Sequence, residues 1–593
     1  MSPRPRTRPG PRSSVRGAVH LRLRVALLVI TMLLSLFGAR LVQLQGLDSQ
    51  AYAARAEAAG FVHVDLPAER GDIVDRTGKK LAESVAGLMI IADPKWTAPD
   101  ASAIARILSD KLGLDYFKTL KQLALPGKRF AYVARRIPAT KATKAVAAVE
   151  KAGYSGLETR NDPLRTYPGD DLAANLTGFM NDDNQPSAGL EASFQNLLQG
   201  QSGSETYEVG GGNRIPLGEN SEVKPINGKT LHLTIDSDAQ WFAQRALRSA
   251  VLKSKAASGS AVAIDRRTGQ IMALADYPTV DANDGGASPK RDWGARGVSA
   301  VYEPGSVEKV LTMSALIDRH KVVPRTKLVV PPELHVADRV IHDYFEHGTI
   351  HLTLGGVIAL SSNIGTVLAA RHISSPVLGG YLKKFGLGAV PDVGLPAESG
   401  GLLSDPSTWT ELTHSNIAFG QGVAVTAVQM AAAVNTVANG GVYVQPSLIL
   451  GKATDKDGVE VGSDLTTTHR VVAPRTARLV THMMELVTTP GKGTAGATTS
   501  IPGYRVAGKT GTAQEPGGKC HCYAQGFYDV SFAGFAPADD PRFTVYVVIR
   551  HPKGASSGSG TAGPVFRQIM NHLLQKYDVP PTGTAPPNLD VYW

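Results

Sequence analysis

Cysteine is almost missing. The 593-residue chain has two, Cys520 and Cys522. A disulfide framework is excluded. A bridge across one intervening residue would be strained, and two thiolates are too few for a structural zinc. The plain reading is a pair of cysteines in a tight loop, with no metal or cofactor expected. Charge is also sparse: Asp, Glu, Lys and Arg make up 19%, below the usual quarter. Acidic residues are absent before Asp48, whereas Arg4, Arg6, Arg8, Arg12, Arg16, Arg22 and Arg24 all precede it. Those arginines supply most of the net charge of +10. The remainder is near balance, so no diffuse basic face for nucleic acid is expected. Internal repeats are missing too. With 42% apolar residues, the chain can bury real cores, and its length implies two or three domains.

One long apolar run is present. Val25 to Ala39 carries no charge but falls short of the ~20 residues a membrane span prefers. Arg24 and Arg40 can snorkel, and Leu41, Val42 and Leu44 extend the run. Phe37-Gly38-Ala39 before Arg40 is a poor signal-peptidase site, so an uncleaved anchor is favoured over a cleaved signal. A buried core helix would not need seven flanking arginines. The reading is a basic tail at 1–24 and an anchor at 25–45. By the positive-inside rule the N-terminus is cytoplasmic, with everything after about residue 46 outside a plasma membrane crossed once.

The remaining segments predict an α+β protein. Residues 1–20 should be a flexible tail, and 47–58 a short polar helix. FVHVDL and LMIIADP read as strands, and ASAIARILSDKLG and ATKATKAVAAVEKAG as helices closed by glycine. No catalytic constellation is visible up to Pro225. VGGGNRIPLGENSEVKPINGKT marks a boundary near 209–230. Then come a strand (LHLTID), a helix (DAQWFAQRALRSAVLKSKAA), a strand–turn–strand (SAVAIDRRTGQIMALADYP), long helices and late strands (VSFAGFAPADDPRFTVYVVIR). Helices enclosed between early and late strands imply an antiparallel sheet drawn from both ends of the domain. VPPTGTAPPNLDVYW is Pro-rich and should be irregular.

Three short motifs carry chemistry. In Pro304-Gly305-Ser306-Val307-Glu308-Lys309, Pro-Gly breaks the preceding structure and an apolar helical run starts at Ser306. Ser306 then sits at a helix N-terminus with Lys309 on the same face. A buried, neutral lysine can take a serine proton. Glu308 lies off that face and should be solvated or structural. Ser-x-x-Lys alone is weak: Ser221-Glu222-Val223-Lys224 matches it, but Pro225 disfavours helix there. The second motif is Ser361-Ser362-Asn363, in which Ser361 could relay a proton and Asn363 could orient an amide and the lysine. The third is Lys509-Thr510-Gly511-Thr512, a strand edge able to hold a carboxylate and pair with an extended substrate, with Gly511 allowing close backbone approach. Gly503 to Thr510 also fits the P-loop pattern G-x-x-x-x-G-K-[ST] without a mismatch. Pro502 before it, and Gly511, Pro516, Gly517 and Gly518 after it, leave no place for the strand and helix a P-loop requires.

Ser-x-x-Lys, Ser-x-Asn and Lys-Thr-Gly in that order are the ordered set of penicillin-binding proteins and class A β-lactamases. With them the chain resembles the class B penicillin-binding proteins, the monofunctional peptidoglycan D,D-transpeptidases. Arg70-Gly71-Asp72-Ile73-Val74-Asp75-Arg76, Arg165-Thr166-Tyr167-Pro168 and Gly189-Leu190-Glu191 look like landmarks of the family's non-catalytic pedestal (dimerisation-type) domain. Phe419-Gly420-Gln421-Gly422, with Thr426 and Gln429, is similar to the family's segment between the second and third motifs. Val307 stands where many relatives have Thr. The basic tail, the Cys520-His521-Cys522-Tyr523 insert and the C-terminal sequence look closest to the septal, FtsI-type enzymes of actinobacteria.

The resemblance implies a pedestal at 46–225, a transpeptidase domain at 226–580 with a β-lactamase-like antiparallel sheet flanked by helices, and a tail at 581–593. It implies catalytic Ser306, Lys309, Ser361, Asn363 and Lys509, and substrate binding by Thr510, Gly511 and Thr512. Backbone N–H groups of Ser306 and Thr512 would form the oxyanion hole. The implied partners are stem peptides, β-lactams as covalent inhibitors, the plasma membrane, a glycosyltransferase and other division-complex membrane proteins. An elongation-type enzyme and a β-lactam sensor or division scaffold of the same fold are the alternatives.

Overall fold

A computed structural model describes residues 16–43, 61–181, 183–210, 213–214, 220–517, 522–554 and 556–593. The expected helix at 47–58 and the Cys520 side of the cysteine pair lie outside them. The chain forms two compact units, residues 1–66 with 202–225, and residues 67–201 with 226–593.

In the first unit one helix, Arg16–Val42, is among the described residues long and apolar enough to cross a membrane, over His20–Val42. It starts inside the segment expected to be flexible tail. Arginine is a good helix former, so Arg16, Arg22 and Arg24 extend the helix beyond the uncharged run. Phe61–Leu66, Gly203–Gly210 and Ser221–Val223 form an antiparallel sheet. The decoy Ser221-x-x-Lys224 is therefore strand at its start, exposed at every residue, and brings no lysine beneath its serine.

The second unit contains a small three-stranded sheet, with Gly87–Ala92 between Ala131–Pro138 and Leu157–Asn161. Helix Ala139–Lys151 packs on it, and helix Ala101–Leu112 packs against that helix and shares its core. Their buried residues, Ala101, Ile104, Ala105 and Leu108 in one and Ala142, Ala145, Val146 and Val149 in the other, recur at the helical period and form one stripe each.

Arg70, Arg165 and Glu191, far apart in sequence, converge on one another. Glu191 is fully buried and takes Arg70 Nε at 2.5 Å and Arg165 Nε at 2.7 Å. Tyr167 donates its hydroxyl to it at 3.2 Å, and burial raises the Tyr167 phenol pKa so that it remains a donor. A buried pair gains little over an apolar replacement but costs much when half of it is removed. Glu191→Gln should destabilise this unit by about 3–5 kcal/mol, measured by chemical denaturation. A change below about 1 kcal/mol, the scale of an exposed pair, would refute the assignment.

The larger part of this unit is built on α1 (Ser237–Lys253), β1 (Ser258–Asp265), β2 (Ile271–Tyr277), α2 (Lys309–Asp318), α3 (Leu354–Ala359), α4 (Asn363–Ala370), α5 (Ala427–Ala438), α6 (Pro474–Thr488), β3 (Ala507–Gly517), β4 (Cys522–Ala536), β5 (Phe543–Arg550) and α7 (Gly563–Lys576). The sheet order is β2-β1-β5-β4-β3, antiparallel throughout. Two early strands and three late ones make one sheet, as the enclosure pattern predicts. Every residue of β5 except Arg550 is buried, and every residue of β1 except Ser258. Such unbroken burial needs helices on both faces; α1, α5 and α7 all pack on these strands. LHLTID is shorter as a strand than expected, Leu231–His232. Among the described residues β3 is the sheet's outer strand, with one edge unpaired.

Candidate active site

Ser306 lies in a 3₁₀ turn, Gly305–Val307, that runs into α2. Lys309, three residues on, opens the α-helix that follows the turn. Ser306 is half-buried, Lys309 fully buried. The turn is clamped from two sides. Gly305 adopts φ +55°, and a Cβ on it would sit 2.8 Å from the Thr512 carbonyl oxygen. Its N–H donates to the Gly420 carbonyl at 3.0 Å. Gly420, at φ +93°, has its Cβ position 1.9 Å from the Gly305 carbonyl oxygen. Both positions therefore require glycine. Gly422 N–H donates to Glu303 at 2.9 Å, fixing the Phe419–Gly422 segment against the nucleophile turn.

The three motifs meet around two amines. Lys309 Nζ donates to the Ser361 carbonyl oxygen and to Asn363 Oδ1, each at 2.7 Å. Lys509 Nζ donates to Ser361 Oγ at 2.9 Å and to the Thr510 carbonyl at 3.0 Å. Ser361 thus serves Lys309 mainly with its backbone carbonyl and Lys509 with its side chain, and its hydroxyl also lies 3.5 Å from Lys309 Nζ. It does so in the left-handed region, φ +59°, a conformation costly for a non-glycine residue and concentrated at functional sites. Burial pushes Lys309 down to about 7, against the opposing attraction of Asp343 and Glu308. Lys509 is driven well below the ordinary lysine range, first by burial and then by the charge of Lys309.

Gly511 is buried, and a Cβ on it would lie 2.2 Å from Ser531 Oγ and 3.0 Å from the Pro304 carbonyl oxygen. Thr510 Oγ1 is 3.1 Å from Thr494 Oγ1, and Thr512 is exposed. Lys509 stands inside β3, with strand continuing beyond it. A P-loop lysine would instead open a helix, so the phosphate-binding alternative is ruled out by the fold.

Of the two readings of Glu308, solvated or structural, the structure gives the second. Glu308 is fully buried, accepts from Thr312 Oγ1 at 2.8 Å, and burial raises it well above the usual carboxylate range. The apolar turn on both sides of it carries it inward. The sequence reading missed Asp343. This buried carboxylate accepts from the backbone N–H groups of Asn363 (2.5 Å) and Ile364 (3.0 Å) and from Ser362 Oγ (2.7 Å). His347 Nε2 lies 3.1 Å from it. The neighbouring His342 carbonyl accepts Asn363 Nδ2 at 3.0 Å, which leaves Oδ1 facing Lys309. Asp343 reaches the site from an irregular loop some twenty residues upstream. The one local hint is the polar cluster His342-Asp343…His347.

Residues 259–571 match the penicillin binding protein transpeptidase domain, and residues 65–233 the penicillin-binding protein dimerisation domain. The chain is 35% identical over 596 residues to the penicillin-binding protein PbpB of Mycolicibacterium smegmatis, covering 94% of this chain and 91% of the relative. It is 33% identical to the peptidoglycan D,D-transpeptidase FtsI of Escherichia coli, over 86% of this chain and 84% of that one. Its fold is similar to that of penicillin binding protein 3 from Mycobacterium tuberculosis in complex with aztreonam (TM-score 0.68, 30% identity, 89% of this chain and all of that one). It is also similar to a peptidoglycan synthetase from Bifidobacterium adolescentis (TM-score 0.70, 28% identity, 90% and all).

Proposed function

The chain belongs to the class B penicillin-binding protein transpeptidases, and from that membership we propose that Ser306 is the nucleophile of a septal peptidoglycan D,D-transpeptidase. Ser306 Oγ attacks the penultimate carbonyl of a stem peptide ending in D-Ala-D-Ala, and neutral Lys309 accepts its proton. Backbone N–H groups of Ser306 and Thr512 face the developing oxyanion. Ser361 Oγ accepts from Lys509 at 2.9 Å and lies 3.5 Å from Lys309 Nζ, so it passes its hydroxyl proton to the departing D-Ala nitrogen and is reprotonated by the Lys309 ammonium, which returns to the neutral amine. An amine of a neighbouring stem peptide then takes the acyl group and frees Ser306. Asn363 holds the acyl-chain amide, and Lys509, Thr510 and Thr512 hold the terminal carboxylate, whose arrival favours protonation of Lys509. The open edge of β3 pairs with the extended peptide. β-Lactams take the place of the acyl donor; solved relatives hold aztreonam and ampicillin.

The observation that carries this reading is Ser361 held between Lys309 and Lys509. The non-catalytic pedestal at 46–225 and transpeptidase domain at 226–580 belong to the proposal. So do the cytoplasmic N-terminus, required by arginines on one side of the anchor, and the partnership with a glycosyltransferase and other division-complex membrane proteins. The direct test is mass spectrometry of the penicillin-treated chain. The adduct should map to the peptide containing Ser306, and a D-Ala-D-Ala peptide should release D-Ala. An adduct on another residue overturns the assignment.

A further inference from the structure

The Pro-rich end of the chain adopts almost no regular structure, yet its last six residues are seated against the framework of the site. Leu589 and Val591 are buried. Tyr592 forms an antiparallel bridge with Leu352, beside the two-stranded ribbon of Lys327–Val330 and Ile350–Thr353. The Val591 carbonyl accepts the Thr353 N–H at 3.0 Å, and the Asp590 carbonyl accepts Thr353 Oγ1 at 2.6 Å. Trp593 closes the segment: its backbone N–H donates to the His351 carbonyl at 3.2 Å, and Lys327 Nζ lies 4.6 Å above its ring.

These contacts fall on residues that set two of the three motifs. Thr353 is the N-cap of α3, its Oγ1 accepting the Gly356 N–H at 2.9 Å. α3 leads directly into Ser361-Ser362-Asn363. Gly356, in the first turn of α3, lies so close under the segment that a Cβ would be 2.0 Å from the Val591 carbonyl oxygen, and the three nearest atoms it would meet all belong to Val591. On the other side Lys492 Nζ donates to the Leu589 carbonyl at 3.1 Å. Lys492 belongs to the loop ending at Thr494, whose N–H donates to the Ala359 carbonyl at 3.3 Å and whose hydroxyl meets Thr510.

We propose that Asn588–Trp593 is a positioning strap for the active site, seating α3 beneath Ser361 and Asn363 and the Lys492–Thr494 loop beside Thr510. None of its residues touches the reacting atoms. Its effect is on the alignment of groups that do, and a misplacement of about 1 Å can cost about 100-fold in rate. The inference rests on the assignment of Ser306 as the acylated serine.

The test is the acylation rate with a fluorescent penicillin, on the full chain and on the chain lacking residues 588–593. Removal should slow acylation by about tenfold or more. The peptide Asn-Leu-Asp-Val-Tyr-Trp, added at about millimolar concentration to match the lost tethering, should restore most of it. Gly356→Ala, which suits a helix but collides with Val591, should slow the full chain comparably and leave the shortened chain no slower than it already is. A shortened chain that reacts at the full rate overturns the strap, as does a loss the peptide does not repair, or a Gly356→Ala effect of equal size in both chains. If the shortened chain does not fold, Gly356→Ala in the full chain decides, and a rate within about twofold of the parent is against the strap. A full chain that takes no label at all refutes the Ser306 assignment instead.

Discussion

Replacing Ser306 with alanine should abolish covalent labelling by a fluorescent penicillin, while the far-ultraviolet circular dichroism and unfolding midpoint should stay close to those of the parent. Removing the nucleophile of a serine acyl-enzyme costs on the order of 10⁶-fold in rate, which a labelling gel reads as zero. The fold should tolerate the change. Ser306 is half-buried and sits in a turn fixed by Gly305, Gly420 and the Glu303 contact to Gly422. Ser221→Ala, in the decoy motif, leaves labelling unchanged, because Ser221 lies on an exposed strand with no buried lysine beneath it. Residual label in the Ser306 variant would sink the assignment.

The second large effect belongs to Lys309. Lys309→Met keeps the length of the side chain and removes the proton acceptor, and acylation falls by about 10²–10⁴-fold, the usual worth of a positioned general base. The parent's pH profile has a definite sign. The reactive form is the neutral amine, and burial brings Lys309 down to about 7. Acylation should therefore rise with pH through about 7 and level off above it, and Lys309→Met should lose that rise. Lys309→Arg stays charged throughout and should be as slow as the Met variant at every pH. A parent profile flat from about pH 6 to pH 9, or an Arg variant with substantial activity, contradicts Lys309 as the base.

The motifs were legible because their chemistry is local: a lysine one turn from a serine, a hydroxyl two residues from an amide, a lysine beside a small residue on a strand. The antiparallel sheet was legible from the order of elements. The sequence reading stopped short where tertiary burial decides. For Glu308 a helical wheel leaves a solvated and a structural reading open, and only the packing around α2 decides for the buried one. Asp343 has no motif to announce it, because its partners Ser362, Asn363 and Ile364 are reached through a loop rather than along a helix or strand. The anchor helix runs further toward the N-terminus than hydropathy alone suggests, since charged arginines end an apolar run without ending a helix. The Pro-rich tail is irregular, as its composition implies, but lack of periodicity says nothing about whether backbone carbonyls find partners.

The strand order also sets a timetable. β1 borders β5, and β5 and β4 separate it from the Lys509 strand, so the middle of the sheet is supplied by nearly the last part of the chain to be synthesised. Contacts so distant in sequence form late, because the intervening loop must close first. A chain that has emerged only as far as Asn363 carries nucleophile, base and amide but has neither Lys509 nor the strand that would hold it. Such a fragment should be inert toward stem peptide and drug alike, and reactivity should switch on as a single late event when β3, β4 and β5 dock.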